Sequence, residues 1–110
     1  MSYVLVIDDH PEAAILALRD EIVATAGTPS EARVLLSAIR PDAVVLDLGV
    51  SPHPEAFARE VRRLFDGRLI IASAADPHEI RRVCSIVGAR PLPKPYLARD
   101  LVCAVRGDSP

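Results

Sequence analysis

Apolar runs of strand length alternate with helix-patterned segments from one end of this chain to the other. The runs fall at 3–7, 22–26, 43–46, 69–72 and 90–92. None shows the apolar-polar alternation of a half-exposed strand. Each is therefore predicted to be covered on both faces, as in a parallel sheet wrapped by helices. Five such β-α units in 110 residues predict a single domain over 1–106 with a three-layer α/β/α sandwich. Residues 107–110 read as a frayed tail.

The intervening segments carry helix start signals. Pro11-Glu12 opens a short first helix that ends near Arg19-Asp20. Thr28-Pro29-Ser30-Glu31 is a capping box with proline at the first helical position. The stripe Ala32, Leu35, Leu36 and Ile39 follows it. Pro54-Glu55 opens the third helix, with Phe57, Val61, Leu64 and Phe65 predicted inward and Gly67 as its stop. Asp76-Pro77-His78-Glu79 caps the fourth, whose stripe is Ile80, Val83, Cys84 and Val87. The last helix is predicted from Tyr96 to Val105, with Leu97, Leu101 and Val105 inward.

Composition removes several classes of function. The net charge of −2 gives no pull towards nucleic acid or an anionic membrane, and two Tyr and two Phe leave no platform for stacking bases. No apolar stretch reaches spanning length, and Met1-Ser2 leads straight into a strand without a signal peptide, so a cytoplasmic protein is expected. Cys84 and Cys103 lack metal or redox spacing and read as reduced thiols among helical apolar residues.

Four of the apolar runs end in a chemically useful side chain. Val4-Leu5-Val6-Ile7 leads into Asp8-Asp9, Ala43-Val44-Val45-Leu46 into Asp47, and Leu69-Ile70-Ile71-Ala72 into Ser73. Pro91-Leu92-Pro93 leads into Lys94, the only lysine among thirteen basic residues. In a chain that uses arginine by default, a lone lysine marks a place for a compact point charge. In an open parallel sheet the functional crevice lies beyond the carboxyl ends of the strands. Three carboxylates, a hydroxyl and an ammonium are thus expected at one edge. Clustered carboxylates stay ionised when a cation sits among them, and hard oxygen ligands suit Mg²⁺. A carboxylate beside such a cation is a plausible nucleophile towards phosphorus. Each residue also has a plain structural reading: Asp9 as a helix cap, Asp8 as a solvated acid, Asp47 as a turn initiator, Ser73 as a small strand-end residue, Lys94 as a surface lysine. Those readings weaken together, because all five residues fall at the same end of the predicted sheet.

The pieces V-L-V-I-D-D at 4–9, R-P-D-A-V-V-L-D-L at 40–48, L-I-I-A-S-A at 69–74, G-A at 88–89 and K-P-Y at 94–96 resemble, in this order and spacing, the CheY-like receiver domain of two-component response regulators. The resemblance covers essentially the whole chain. It implies a flavodoxin-like, five-stranded parallel sheet of order 2-1-3-4-5. It implies that Asp47 accepts a phosphoryl group from a sensor histidine kinase or a histidine phosphotransfer protein. It implies Mg²⁺ ligation by Asp9, Asp47 and the backbone carbonyl of Gly49, with Asp8 acting largely through water. Ser73 and Lys94 match the residues that bind the phosphoryl oxygens, and Lys94-Pro95 matches a cis peptide. Such a domain is not an enzyme towards other substrates. It catalyses only its own phosphorylation and dephosphorylation and signals to a downstream protein, without direct contact with nucleic acid or membrane.

The departures are informative. The family's proline four residues past the acceptor is Ser51 here, with Pro52 one later and no glycine in Ser51-Pro52-His53-Pro54. The aromatic switch position, three before the lysine, is Pro91. The first helix looks clipped, and the stretch from Gly88 to Lys94 looks one residue short. The missing aromatic and the altered loop favour an alternative in which the domain is never phosphorylated and serves only as a protein-binding module, and the intact set of Asp8, Asp9, Asp47, Ser73 and Lys94 argues against it. A haloacid-dehalogenase-type phosphatase wants D-x-D after its first strand, where this chain has Asp8-Asp9. A cobalamin module wants glycine three residues after His10, where this chain has Ala13. Flavin binding lacks its phosphate-cradling loop. Arg81, Arg82, Arg90, Arg99 and Arg106 on the fourth and fifth helices and the fifth strand predict a basic docking surface for an acidic protein partner, with solvation as the ordinary explanation.

Overall fold

A computed structural model describes residues 2–108 of the chain. Five strands run parallel: β1 (Tyr3–Ile7), β2 (Ile22–Ala26), β3 (Ala43–Leu46), β4 (Arg68–Ser73) and β5 (Arg90–Pro93), in the spatial order β2-β1-β3-β4-β5. The helices are α1 (Glu12–Ala17), α2 (Pro29–Ala38), α3 (Pro54–Leu64), α4 (Pro77–Val87) and α5 (Ala98–Arg106). A short 3-10 helix at Leu48–Val50, absent from the sequence reading, follows β3.

Strand alternation divides the core into two layers. Leu5, Ile7, Val44, Leu46, Leu69 and Ile71 pack against Ala32, Phe57, Val61, Ile80 and Val83 of α2, α3 and α4. Val4, Val6, Ala43, Val45, Ile70 and Ala72 pack against Ala14, Leu101, Ala104 and Val105 of α1 and α5. This is the expected three-layer α/β/α sandwich of sheet order 2-1-3-4-5.

The start signals work as chemistry predicts. Thr28 Oγ1 accepts the Glu31 amide and the Asp76 carboxylate accepts the His78 amide, each with proline at the start of its helix. Gly88 ends α4 at φ 70°, where a side chain would be strained.

Several boundaries and orientations differ from expectation. Leu64 is exposed, because α3 stops there, while Phe65, extended as its C-cap, packs on the core as predicted. Leu97 is exposed as the extended N-cap of α5, so that helix begins at Ala98, and Tyr96 packs on the core in its place. β4 and β5 extend to Ser73 and Pro93, which pair with each other. Gly107 and Asp108, expected to fray, close α5: their amides donate to Ala104 and Cys103 carbonyls at 3.2 and 2.8 Å. Ser109 and Pro110 lie outside the described residues.

Candidate functional site

Register explains why the distant acids and the lysine meet. Ile7 pairs with Leu46, so Asp8 and Asp47 leave neighbouring strands at the same height. The ladder runs one step further, with the Asp47 amide donating to the Ile7 carbonyl at 2.9 Å. Across the sheet, the Lys94 amide donates to the Ser73 carbonyl at 2.8 Å. Alternation then sets direction. Val6, Val45 and Leu92 all face the α1/α5 layer. Asp8, Asp47 and Lys94 each lie two residues further along and emerge on that same side. Ser73 is in phase with Leu69 and Ile71 of the other layer.

Lys94 is the centre of the arrangement. Its Nζ donates to Asp8 Oδ2 at 2.8 Å and to Asp47 Oδ2 at 3.0 Å. The remaining oxygens are held by backbone: Asp8 Oδ1 accepts the His10 amide and Asp47 Oδ1 accepts the Gly49 amide, both at 2.9 Å. The second bond is also what caps the 3-10 helix. Asp47 therefore does initiate a turn, as its plain reading held, and in doing so fixes its own carboxylate. Asp8 is buried rather than solvated, and Lys94 is half-buried rather than a surface lysine. Asp9 is exposed and caps nothing, since Pro11 is the N-cap of α1 and no side chain bonds there. It lies 3.7 Å from His10 Nε2. The Lys94-Pro95 peptide is cis.

Burial pushes the Asp47 carboxyl up, but the Gly49 amide, the Lys94 ammonium and a smaller contribution from the nearby Ser73 hydroxyl outweigh it and hold it below its ordinary range. Lys94 mirrors this. Burial lowers it, and Asp8 and Asp47 together raise it above its ordinary value. Both groups are therefore charged at neutral pH. Ser73 is buried, and its Oγ accepts the Ala75 amide at 3.2 Å.

The donor set fits a hard divalent cation. One carboxylate oxygen from each of Asp8, Asp9 and Asp47 lies within 4.8 Å of the others. Three carboxylates against one ammonium leave two negative charges, which a divalent cation neutralises. A cleft of about 340 Å³ opens beside Lys94, lined also by Ala13, Ala74, Pro95 and Tyr96. A second of about 450 Å³, sharing Ala13 and Tyr96, runs on between α1 and α5. The six-residue α1 leaves this side open.

The predicted arginine face divides. Arg82 pairs with Glu55 of α3, and Arg106 pairs with Glu21 at 2.7 Å. Arg90 donates to the Asp108 carbonyl at 2.9 Å. Arg99 lines the α1/α5 cleft beside Arg19 and Asp20. Arg81 is exposed on α4. Arg82, Arg90 and Arg106 are drawn to acids or carbonyls on different elements, so the five do not form one face.

Glu21 is a buried charge that sequence reasoning missed. It accepts the Ser2 amide at 2.6 Å and the Arg106 guanidinium, and the amide foremost lowers its carboxyl below the usual range. An acid at a strand start has no local signature of burial. Pro91, in the position of the family's aromatic, is exposed on β5.

No family model and no curated protein matches the chain by sequence. Solved structures match throughout. A response regulator receiver protein from Burkholderia phymatum is 29% identical, with a TM-score of 0.79 over 99% of this chain and 98% of that one. The Vibrio cholerae chemotaxis protein CheY4 is 22% identical, with a TM-score of 0.83 over 99% of each. A Burkholderia pseudomallei response regulator, described with a phosphorylated aspartic acid, calcium ion and citrate, is 22% identical, with a TM-score of 0.80 over 96% of this chain and 66% of that one. The chain has the receiver-domain fold of response regulators.

Proposed function

We propose that this receiver fold works as a phosphoryl acceptor, with Asp47 as the nucleophile and residues 1–106 as the working unit. The observation that carries the reading is the Lys94 ammonium bridging Asp8 and Asp47 inside a cluster of three carboxylates. A purely protein-binding module has no need to hold three acids together around a half-buried lysine. The exposed Pro91 bears on how a signal leaves the site and not on whether Asp47 can react.

The donor is a phosphohistidine on a sensor histidine kinase or phosphotransfer protein. An Asp47 carboxylate oxygen attacks phosphorus. The new O–P bond forms as the N–P bond breaks, and the electron pair stays on the leaving imidazole. Asp47 remains ionised for this attack because Lys94 and the Gly49 amide keep its carboxyl low. As charge builds on the transferring group, Lys94 offers its ammonium and Ser73 its hydroxyl to the phosphoryl oxygens. Asp9, Asp47 and the Gly49 carbonyl would hold Mg²⁺, with Asp8 acting through water. The bound ion supplies neutralisation of phosphoryl charge. The domain turns over no other substrate, sits in the cytoplasm and passes its signal by protein contact. No helix among the described residues is long and apolar enough to cross a membrane.

Incubation with Mg²⁺ and acetyl phosphate, followed by intact mass measurement, tests the reading. One phosphoryl group should add, and Asp47→Asn should abolish the addition. An unmodified wild type under both acetyl phosphate and phosphohistidine donors would leave only the protein-binding reading.

A further inference from the structure

We propose that Glu55 is a latch through which occupation of Asp47 reaches α4. The inference rests on the phosphoryl-acceptor reading of the site and supplies the route by which its signal leaves.

Two polar ties join α3 to α4, and they differ in kind. Arg62, in the last turn of α3, donates to the Val87 carbonyl at 2.7 Å and the Gly88 carbonyl at 3.1 Å, the end of α4. The same guanidinium holds Phe65 and Gly67 carbonyls at 2.9 and 3.2 Å. One planar group thus fixes the ends of both helices against the sheet. The other tie is Glu55, in the first turn of α3, which pairs with Arg82 on α4 and with Arg59 at 3.2 Å on its own helix. This pair is exposed, so it is easily broken and remade. The far end of α4 is anchored, and the half nearer the site is held by a contact that can exchange.

Glu55 is also connected to the acceptor. The Asp47 carboxylate caps the 3-10 helix through the Gly49 amide, and the Ser51 hydroxyl then accepts the His53 amide at 3.1 Å. Pro54 starts α3 directly after this turn, and Glu55 follows. A phosphoryl group on Asp47 competes with the Gly49 bond, and a shift of the capped turn moves the first turn of α3. Glu55 carries Arg82 with it, or releases Arg82 and keeps only its pairing with Arg59. With Pro91 exposed on β5 there is no aromatic side chain at that position to do the same work. An exposed ion pair biases a two-state equilibrium by about two- to fivefold, which is enough to shape the response without creating it.

Amide spectra of the full chain with Mg²⁺, before and after adding beryllofluoride, test this. In the wild type, changes should appear at 47–53 and again at 80–86. In Glu55→Gln the changes at 47–53 should persist, and those at 80–86 should fall by roughly half or more. The charge swap Glu55→Arg with Arg82→Glu should restore them. Changes at 80–86 that are equally large in Glu55→Gln would overturn the latch while leaving the acceptor intact. Silence at 47–53 in the wild type would overturn the acceptor reading, and the latch with it.

Discussion

At the carboxyl edge of the sheet three carboxylates and one ammonium face one another. At the amino edge three guanidiniums face backbone carbonyls. Arg62 holds four carbonyls, Arg68 donates to Val105 at 2.7 Å, and Arg90 donates to Asp108. The amino-edge charges complete the ends of α3, α4 and α5, where helix carbonyls lack partners. Gly107 makes room for this, since a Cβ there would stand 3.1 Å from Arg68 Cδ. The carboxyl-edge charges complete nothing in the backbone beyond two short turns. Lys94 there pairs with Asp8 and Asp47, and Asp9 stays exposed beside them, 3.7 Å from His10. Charged side chains thus stabilise helix ends at one edge and stand ready to react at the other, depending on whether the partner is a backbone carbonyl or another charged side chain.

The largest test breaks the carboxyl edge alone. Asp47→Asn should fold as the wild type does and take no phosphoryl group, since the amide keeps shape and loses nucleophilicity. Persistent labelling, located by peptide mapping, would move the acceptor elsewhere. Next, Lys94→Arg should slow phosphoryl uptake from acetyl phosphate by about 10- to 100-fold, because a planar fork cannot bridge Asp8 and Asp47 as a point charge does. A rate within twofold of the wild type would show that geometry at Nζ is unimportant.

The complementary break is at the amino edge. Arg62→Gln should lower unfolding stability by about 1–3 kcal/mol in urea titration, because four carbonyls lose a charged donor. Phosphoryl uptake should be unchanged. A variant that instead loses uptake would show that the two edges are not separable.

A pH series sharpens the comparison. The Asp47 carboxyl lies below its ordinary 3.8, so its contribution to stability is full above that value and is lost as pH falls through the depressed one. Lys94 lies above its ordinary 10.5, so its contribution holds below that value and is lost as pH rises through the raised one. In Lys94→Met both limbs should flatten in a plot of urea midpoint against pH. An unaltered acid limb would assign it to other carboxylates. The smallest effect is expected from beryllofluoride on the backbone after Ser73: residues 73–80 should shift more than residues 90–93, and the reverse order would place a response in β5 despite Pro91.

Sequence alone determined the order of elements, the start signals at Thr28 and Asp76, and the strand ends that deliver Asp8, Asp47, Ser73 and Lys94 to one edge. These follow from local causes: hydrophobic period, capping chemistry and the rule that strand ends converge in a parallel sheet. The phase that turns Asp8, Asp47 and Lys94 to one side was equally present, two residues beyond Val6, Val45 and Leu92. Tertiary structure alone decided partners. Lys94 reaches Asp8 across 86 residues of chain and Asp47 across 47. Arg82 and Arg106 turned out to belong to Glu55 and Glu21 rather than to one basic face. Leu64 and Leu97 lost their predicted inward places because each lies where its helix ends or has yet to begin, while Phe65 kept its own and Tyr96 packs inward beside Leu97. Periodicity says which face of an element a residue occupies. Which charge stands opposite it depends on how distant elements pack, and no local pattern carries that.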